Sequence, residues 1–349
     1  MADSNDSGGD TMSPHQTTRR RFLTTTLATT GAALFPWRPA AAAAKVRIGW
    51  IKNQLHHTTF AYMAKIADKH GFAVELVDFA RYPDIMLALQ NKQVDYGGMG
   101  YANLPGIVEQ NLANVRAIAG NMLGAIGMVI RTGVKVETWK DYEGKKIATA
   151  SNSIVEHHIR VNAAEHGYDI NKVEIVKMVP GPAALIALRK GEIDGISAWE
   201  PWVAQAVVQK IGYVPKIRVF DNSIGPINGI LGANREFIEK NRDVTVQVLK
   251  ALIEANAHLT KNPEEHARLA LTNMSIELPV AKKAIENFKY DEKIYMESTR
   301  VYAKVMHQYG LTKADTSSRI DETVEWSFLE KASGKSRGDL GLREKARLP

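Results

Sequence analysis

Four short stretches hold the residue types that bind small ligands: Lys52-Asn53-Gln54 with His57 just beyond, Tyr101-Ala102-Asn103, Ser151-Asn152-Ser153, and Trp199-Glu200-Pro201-Trp202. Their amides and hydroxyls donate and accept hydrogen bonds, Lys52 supplies a cation, and Tyr82, Tyr101, Trp199 and Trp202 supply flat walls. Such a set suits a small polar or anionic ligand with an apolar or flat part. Each neutral N–H bond contributes only about 0.5–1.5 kcal/mol net, so several must act together. Asn228, at the start of a later strand, joins the set. Glu200 has two readings: pointing inward it repels a pure anion and favours an amine, and turned the other way it caps its own helix and faces solvent. Reaction chemistry is missing from the pattern. No G-x-S-x-G, H-E-x-x-H, Walker loop or G-x-G-x-x-G occurs, and there is no Cys to act as nucleophile or thiolate ligand. The pairs His56-His57 and His157-His158 do not suggest a metal, because neighbouring side chains on a helix diverge by about 100°. A binding protein without metal or cofactor is the expectation, not an enzyme.

These stretches recur because the chain repeats itself. Offset by 99 positions, residues 45 to 110 align without gaps on residues 144 to 209: Asn53 meets Asn152, Pro83 meets Pro182, Ala88-Leu89 meets Ala187-Leu188, and Asp95 meets Asp194. In each copy a β-rich run (46–51; 146–150) breaks into a polar triplet of helix-capping type and a helix follows. A glycine, Gly71 or Gly167, ends that helix before a second strand (74–79; 173–179). Pro83 or Pro182 then opens another helix, and a third strand follows (94–97; 193–196). Two successive β-α-β-α-β-α units predict two α/β lobes with mostly parallel sheets. Ligands of open α/β sheets sit beyond the carboxyl ends of the strands, where helix N-termini present unpaired N–H groups. Two facing lobes would therefore bring all four stretches to one cleft. Asp95 and Asp194 read as strand-end hydrogen-bonding residues. Met86, Met122 and Met128 read as core.

The pattern assigns residues 45–125 to a first lobe, 126–225 to a second, and 226–332 back to the first as a helical part. A polar tail, 333–349, is expected to fray. Apolar strands are expected at 125–131, 217–220 and 227–233, and long helices at 243–261, 279–288 and 291–309. A hinge is expected where the chain crosses between lobes, at about 123–127 and 221–228. The 349 residues are 45% hydrophobic and 24% charged, which fits ordinary globular domains. A net charge of +7 without a basic cluster gives no reason to expect nucleic acid. Residues 1–44 read as an export signal of the twin-arginine type. Arg19-Arg20-Arg21-Phe22-Leu23 precede a short apolar stretch broken by Pro36, and Ala42-x-Ala44 offers a small-x-small cleavage site. The mature chain is then expected to begin at Lys45, exported by the Tat translocase into the periplasm without a lipid anchor.

The run Val46 to Trp50, the Ala-Leu-x(4)-Val-Asp-x-Gly pattern within Met86 to Gly97, Gly100 to Pro105, Lys140 to Ala148, and Trp199 to Trp202 together resemble the nitrate/sulfonate/taurine type of ABC-transporter substrate-binding protein. The resemblance covers roughly residues 45 to 270. It implies a type II periplasmic binding protein clamshell, a monomer that closes on its ligand and docks on a membrane permease driven by an ATPase. Members of that family serve alkanesulfonates, taurine, nitrate, bicarbonate and thiamin-pyrimidine precursors. Anion-binding members often carry Ser or Thr after the glycine of the third-strand loop. Here Tyr101, Ala102 and Asn103 follow Gly100, which favours an aromatic or heterocyclic ligand over a simple sulfonate or nitrate. The same fold also carries thiamin-pyrimidine synthases, which depend on a Cys-rich motif, and periplasmic ligand sensors.

Overall fold

The computed structural model describes residues 44–348, and two β-sheets organise them. The export-signal reading of residues 1–44 lies outside the described residues, apart from Ala44, which opens the first strand. The first sheet contains β1 (Ala44–Trp50), β2 (Phe72–Asp78), β3 (Tyr96–Gly100) and β4 (Val115–Gly124). The second contains β5 (Ile126–Arg131), β6 (Lys146–Thr149), β7 (Glu174–Lys177), β8 (Gly195–Trp199) and β9 (Gly212–Tyr213). The chain then returns to the first sheet with β10 (Ile227–Asn234) and β11 (Phe288–Tyr290). Strand order is β11-β4-β10-β3-β1-β2 in one sheet and β7-β6-β8-β5-β9 in the other.

Helices α1 (Thr58–Ile66), α2 (Tyr82–Gln90) and α3 (Leu104–Glu109) follow the first three strands. Helices α4 (Ile154–His166), α5 (Pro182–Lys190) and α6 (Trp202–Val208) follow β6, β7 and β8. The remainder is α7 (Arg235–Lys240), α8 (Arg242–Lys261), α9 (Pro263–Leu271), α10 (Leu278–Ile285), α11 (Met296–Gln308) and α12 (Ser327–Ser333). Among the described residues no helix is long and apolar enough to cross a membrane.

The duplication extends to individual hydrogen bonds. Ile48 pairs Tyr96 and Gly49 pairs Gly97 in the first sheet, while Ile147 pairs Gly195 and Ala148 pairs Ile196 in the second, each shifted by the same 99 positions. Asp95 Oδ2 accepts from Arg47 N at 2.8 Å, and Asp194 Oδ2 accepts from Lys146 N at 3.1 Å. Both aspartates thus tie the start of the third strand of their copy to the first strand, the role their sequence position suggests. Gly71 (φ 77°) and Gly167 (φ 74°) close the first helix of each copy in the left-handed region, where a Cβ is disfavoured.

Four of six strands in the first sheet and four of five in the second run in one direction, yet neighbours are of both kinds. The cause is one strand laid antiparallel beside the third strand of each copy: β10 beside β3, and β5 beside β8. The backbone passes from the first sheet to the second between β4 and β5, through Gly124 (φ 78°) and Ala125 (φ 56°), and returns between β9 and β10.

Five segments depart from the sequence expectations. Residues 217–220 form turns, not a strand. Strand β4 carries Arg116, Gly120, Asn121 and Gly124, so it lacks the apolar run that marks the others. The expected frayed tail is packed: Leu340 is fully buried, its carbonyl accepts from Ile294 N at 2.9 Å, and Lys293 pairs with Glu344 at 2.9 Å. The expected helix 291–309 begins only at Met296, because residues 291–295 run extended past β4 and pair with this tail. The expected helix 279–288 ends at Ile285 and gives way to β11. Helix α8 packs against both α1 and α12, covering the first sheet with the chain's C-terminal third.

Candidate functional site

A cavity of about 660 Å³ lies between the carboxyl ends of the two sets of parallel strands. From the first sheet's side it is lined by Ile51 and Gln54 after β1, by Arg81, Tyr82, Pro83 and Met86 at the start of α2, and by Gly100, Ala102 and Asn103 after β3. From the second sheet's side come Ser151, Asn152, Ser153, Ile154 and His157 after β6, Lys177, Met178 and Val179 after β7, and Trp199 at the end of β8. Asn228 lines it at the start of β10. Nine of the fifteen residues marked in the sequence therefore share one cavity: Gln54, Tyr82, Ala102, Asn103, Ser151, Asn152, Ser153, Trp199 and Asn228.

The other six sit elsewhere. Lys52 and Asn53 are exposed on the turn after β1, which carries them away from the lining. His57 is buried under its own strand: Nδ1 accepts from Ile51 N at 2.8 Å, and the ring stacks edge-on against Phe60. It cross-links its own loop and is not among the residues that line the cavity. Tyr101 is fully buried; its hydroxyl donates to Lys293 O at 3.1 Å and accepts from Tyr295 N at 3.2 Å. Glu200, at the equivalent position of the second copy, also turns toward the C-terminal region. It accepts from Ala204 N at 3.0 Å and from Asn287 Nδ2 at 2.9 Å. It caps its own helix, as one reading held, but is only 1% exposed instead of facing solvent. Burial pushes its carboxyl up to about 7 against the pull of those two donors. Trp202 is half-buried and packs against the second sheet's own core cluster, which includes Val203 and Ala206. The common reason for Tyr101 and Glu200 is a segment without a copy in the duplication, residues 287–295, which fills the space beneath both third-strand loops.

Sequence reasoning also missed part of the wall. Met306 of α11, with Leu311 and Thr312 just after it, lines the cavity from far along the chain. So does His157, which the sequence offered only as one half of an adjacent pair. Its ring is 1% exposed, with Nδ1 2.6 Å from Tyr302 Oη, and burial lowers its pKa to about 4. The second histidine pair diverges, since His158 turns to Asn222 at 3.0 Å while His157 lines the cavity, whereas the rings of His56 and His57 lie 4.7 Å apart and both approach the Tyr82 hydroxyl. Among the described residues no group of three or more His, Asp or Glu side chains is placed to hold a metal ion.

The cavity offers neutral polar groups of both kinds, an amide oxygen that accepts and ring nitrogens, with the carboxylate of Glu109 also in its lining. Gln54 Oε1, His157 Nε2 and Trp199 Nε1 are buried polar atoms with no hydrogen-bond partner within the protein. Such atoms are costly unless something pairs with them. Asn103 Oδ1 accepts from Gly100 N at 2.9 Å and Ser153 Oγ donates to Ala150 O at 2.6 Å, so these two side chains shape the loops that carry them. The cations stand at the edge: Arg81 is exposed and paired with Asp84 at 2.8 Å, and Lys177 is exposed. Ile51, Met86, Ile154, Met178 and Met306 supply the apolar part.

The NMT1-like family matches over residues 40–273. A taurine-binding periplasmic protein of Escherichia coli (strain K12) is 25% identical over 203 residues, which are 57% of this chain and 61% of that protein. The chain thus spans about six tenths of the length of that relative. Among solved structures, the alkanesulfonate-binding protein of Xanthomonas axonopodis pv. citri bound to MOPS superposes with a TM-score of 0.67 at 16% identity, covering 82% of this chain and 100% of that one. The periplasmic nitrate-binding protein of Synechocystis PCC 6803 gives 0.70 at 13% identity, covering 87% and 92%. At these identities the likeness is one of fold, and the fold is the two-lobed periplasmic binding protein clamshell.

Proposed function

The chain belongs to the NMT1-like family, and from that footing we propose that it is the periplasmic solute-binding component of an ABC importer. It encloses a small sulfonate- or taurine-like, or heterocyclic, organic ligand between its lobes and hands it to a membrane permease driven by an ATPase. The observation that carries this reading is the cavity itself: both sheets line it, it has the volume of a small organic molecule, and it holds three buried polar atoms that the protein leaves unpaired. The names of the taurine-, alkanesulfonate- and nitrate-binding relatives agree with a ligand that offers hydrogen-bond acceptors. The apolar lining agrees with a carbon skeleton attached to them.

Residues 1–44 supply the twin-arginine export signal in this reading, and the mature monomer acts without cofactor. The ligand works by differential affinity alone, stabilising whichever arrangement of the lobes lets both linings reach it. The crossings at 123–127 and 221–228 serve as the hinge. Ala125 is held from both sides there, donating to Asn287 O at 2.9 Å and accepting from Glu200 N at 2.9 Å, and Gly124 O accepts from Asn228 Nδ2 at 2.7 Å. A thermal-shift screen of the mature chain against taurine, alkanesulfonates, nitrate, pyrimidines and aromatic carboxylates tests the proposal. At least one class should raise the melting temperature, since a ligand bound only by the native state stabilises it. Turnover of a bound compound, or no shift with any class, would overturn the reading.

A further inference from the structure

His157 stands in the first turn of α4 and lines the cavity; its Nδ1 lies against Tyr302 Oη, and its Nε2 is buried without a protein partner. The hydroxyl decides which ring nitrogen carries the proton. Tyr302 is fully buried, and among the described residues His157 Nδ1 is the one hydrogen-bond partner of its Oη. A buried hydroxyl that cannot donate bears the whole cost of its desolvation, so the Tyr302 O–H donates and Nδ1 accepts. Burial keeps the ring neutral, and its single proton then resides on Nε2. The charged neighbours do not alter this, because Glu156 and Arg160 form an ion pair at 2.5 Å and act on the ring in opposite senses.

We infer that Tyr302 fixes His157 as an Nε2–H donor, making His157 the specificity-determining residue of the cleft: this point takes a ligand oxygen with a free lone pair and refuses an ammonium group. The inference deepens the proposed function and rests on it for the existence of the ligand. An ammonium placed there would set donor against donor, leaving the Nε2–H unpaired. A sulfonate, carboxylate or carbonyl oxygen satisfies it. The arrangement also joins the two halves of the molecule. His157 belongs to α4, which packs on β8 of the second sheet, whereas Tyr302 belongs to α11, which packs on α3 beside the first sheet. A hydrogen bond accepted by Nδ1 and one donated by Nε2–H polarise each other in a dry site. Ligand binding and the contact between α4 and α11 therefore reinforce one another, and by linkage each must strengthen the other equally.

Two measurements on the mature chain test this. The ¹⁵N spectrum of the imidazoles, with His157 assigned by its loss in His157→Gln, should show the Nε2–H tautomer from pH 5 to 8; an Nδ1–H tautomer, or an imidazolium at pH 6, overturns the inference. Calorimetric titration with taurine and with ethanesulfonate supplies the second. Tyr302→Phe should weaken binding about tenfold when His157 is present and less than twofold in the His157→Gln background, because a Gln amide keeps an N–H donor and has no tautomer to fix. Equal losses in the two backgrounds would mean that Tyr302 acts by packing alone, and would overturn the inference. Should neither probe bind the unsubstituted protein, the importer reading fails for these ligands, while the tautomer spectrum still decides the assignment of His157 by itself.

Discussion

His56 and His57 follow β1, and His157 and His158 follow β6 two positions later in the repeat, yet the first pair is consumed by the fold whereas His157 of the second lines the cavity. His56 Nε2 lies 2.5 Å from Tyr82 Oη and His57 Nδ1 accepts from the backbone of Ile51, so both rings are spent on the walls of their own loop. A 3-10 turn at Leu55–His57 tightens the path after β1 and draws His57 back beneath the strand. In the second copy Asn152 takes a left-handed conformation (φ 53°), α4 starts directly at Ile154, and His157 emerges toward the cavity. Residue type alone does not settle a histidine's role. The geometry of the two or three residues before the helix does.

The largest expected effect breaks the first pair. His57→Ala removes the acceptor of the buried Ile51 N–H and leaves a hole against Phe60 and Gly98, where a Cβ would lie 2.6 Å from His57 Nε2. Cavity and orphaned donor together should cost about 4 kcal/mol in denaturant unfolding, with ligand affinity of the folded protein unchanged. A stable His57→Ala protein that binds poorly would return His57 to the site and erase the contrast.

Next in size is Glu200, whose equivalent in the first copy is Tyr101. Its folded pKa, about 7, lies above the unfolded value of an ordinary Glu, so its contribution to stability is complete below the unfolded value and is lost as pH rises through 7. Glu200→Gln keeps the shape and abolishes the titration. The variant should be more stable than the parent at pH 8 by up to about 3 kcal/mol, and the gap should shrink toward zero near pH 4.5. A gap that stays constant across that range would show that burial does not hold this carboxyl protonated.

The extent to which the sequence foretold all this also divides by region. Within the duplication it was legible down to single bonds, as Asp95 and Asp194 show, because strand–loop–helix order and capping residues are local signals. Gln54, Ser151 to Ser153 and Trp199 came with it, since the loops at the carboxyl ends of the parallel strands line the cavity. What escaped depends on the C-terminal third, which has no copy to be compared with. Strand β4 escaped because its Gly120 answers to a distant neighbour: a Cβ there would meet Lys293 O at 2.0 Å. Tyr101, Glu200 and His157 were misplaced or passed over for the same reason, as their partners are Tyr295, Asn287 and Tyr302.

Tyr101→Phe sharpens that point at moderate size. It leaves Tyr295 N–H and Lys293 C=O buried without their hydroxyl, a cost of about 1–2 kcal/mol, and it should leave affinity within twofold. Truncation to Ala would remove a fully buried ring and should threaten folding itself. A Phe variant of full stability with weakened binding would put the Tyr101 hydroxyl back in the cleft.

The smallest effects come from Asn53 and Asn152, which occupy the same position in the two copies. Asn53 is exposed on a turn outside the cavity, so Asn53→Ala should change stability by less than about 0.5 kcal/mol and affinity not at all. Asn152 lines the cavity in a left-handed conformation that Asn tolerates and Ala does not, and its backbone N donates to Glu156 Oε2 at 2.8 Å. Asn152→Ala should therefore cost about 1 kcal/mol of stability and weaken binding a few-fold. Asn152→Gly should restore the stability, since glycine accepts the same φ, but not the affinity, because the amide is still missing. If Gly restores both, Asn152 serves only the turn, and the second copy's loop would owe its place in the site to His157 and the helix start alone.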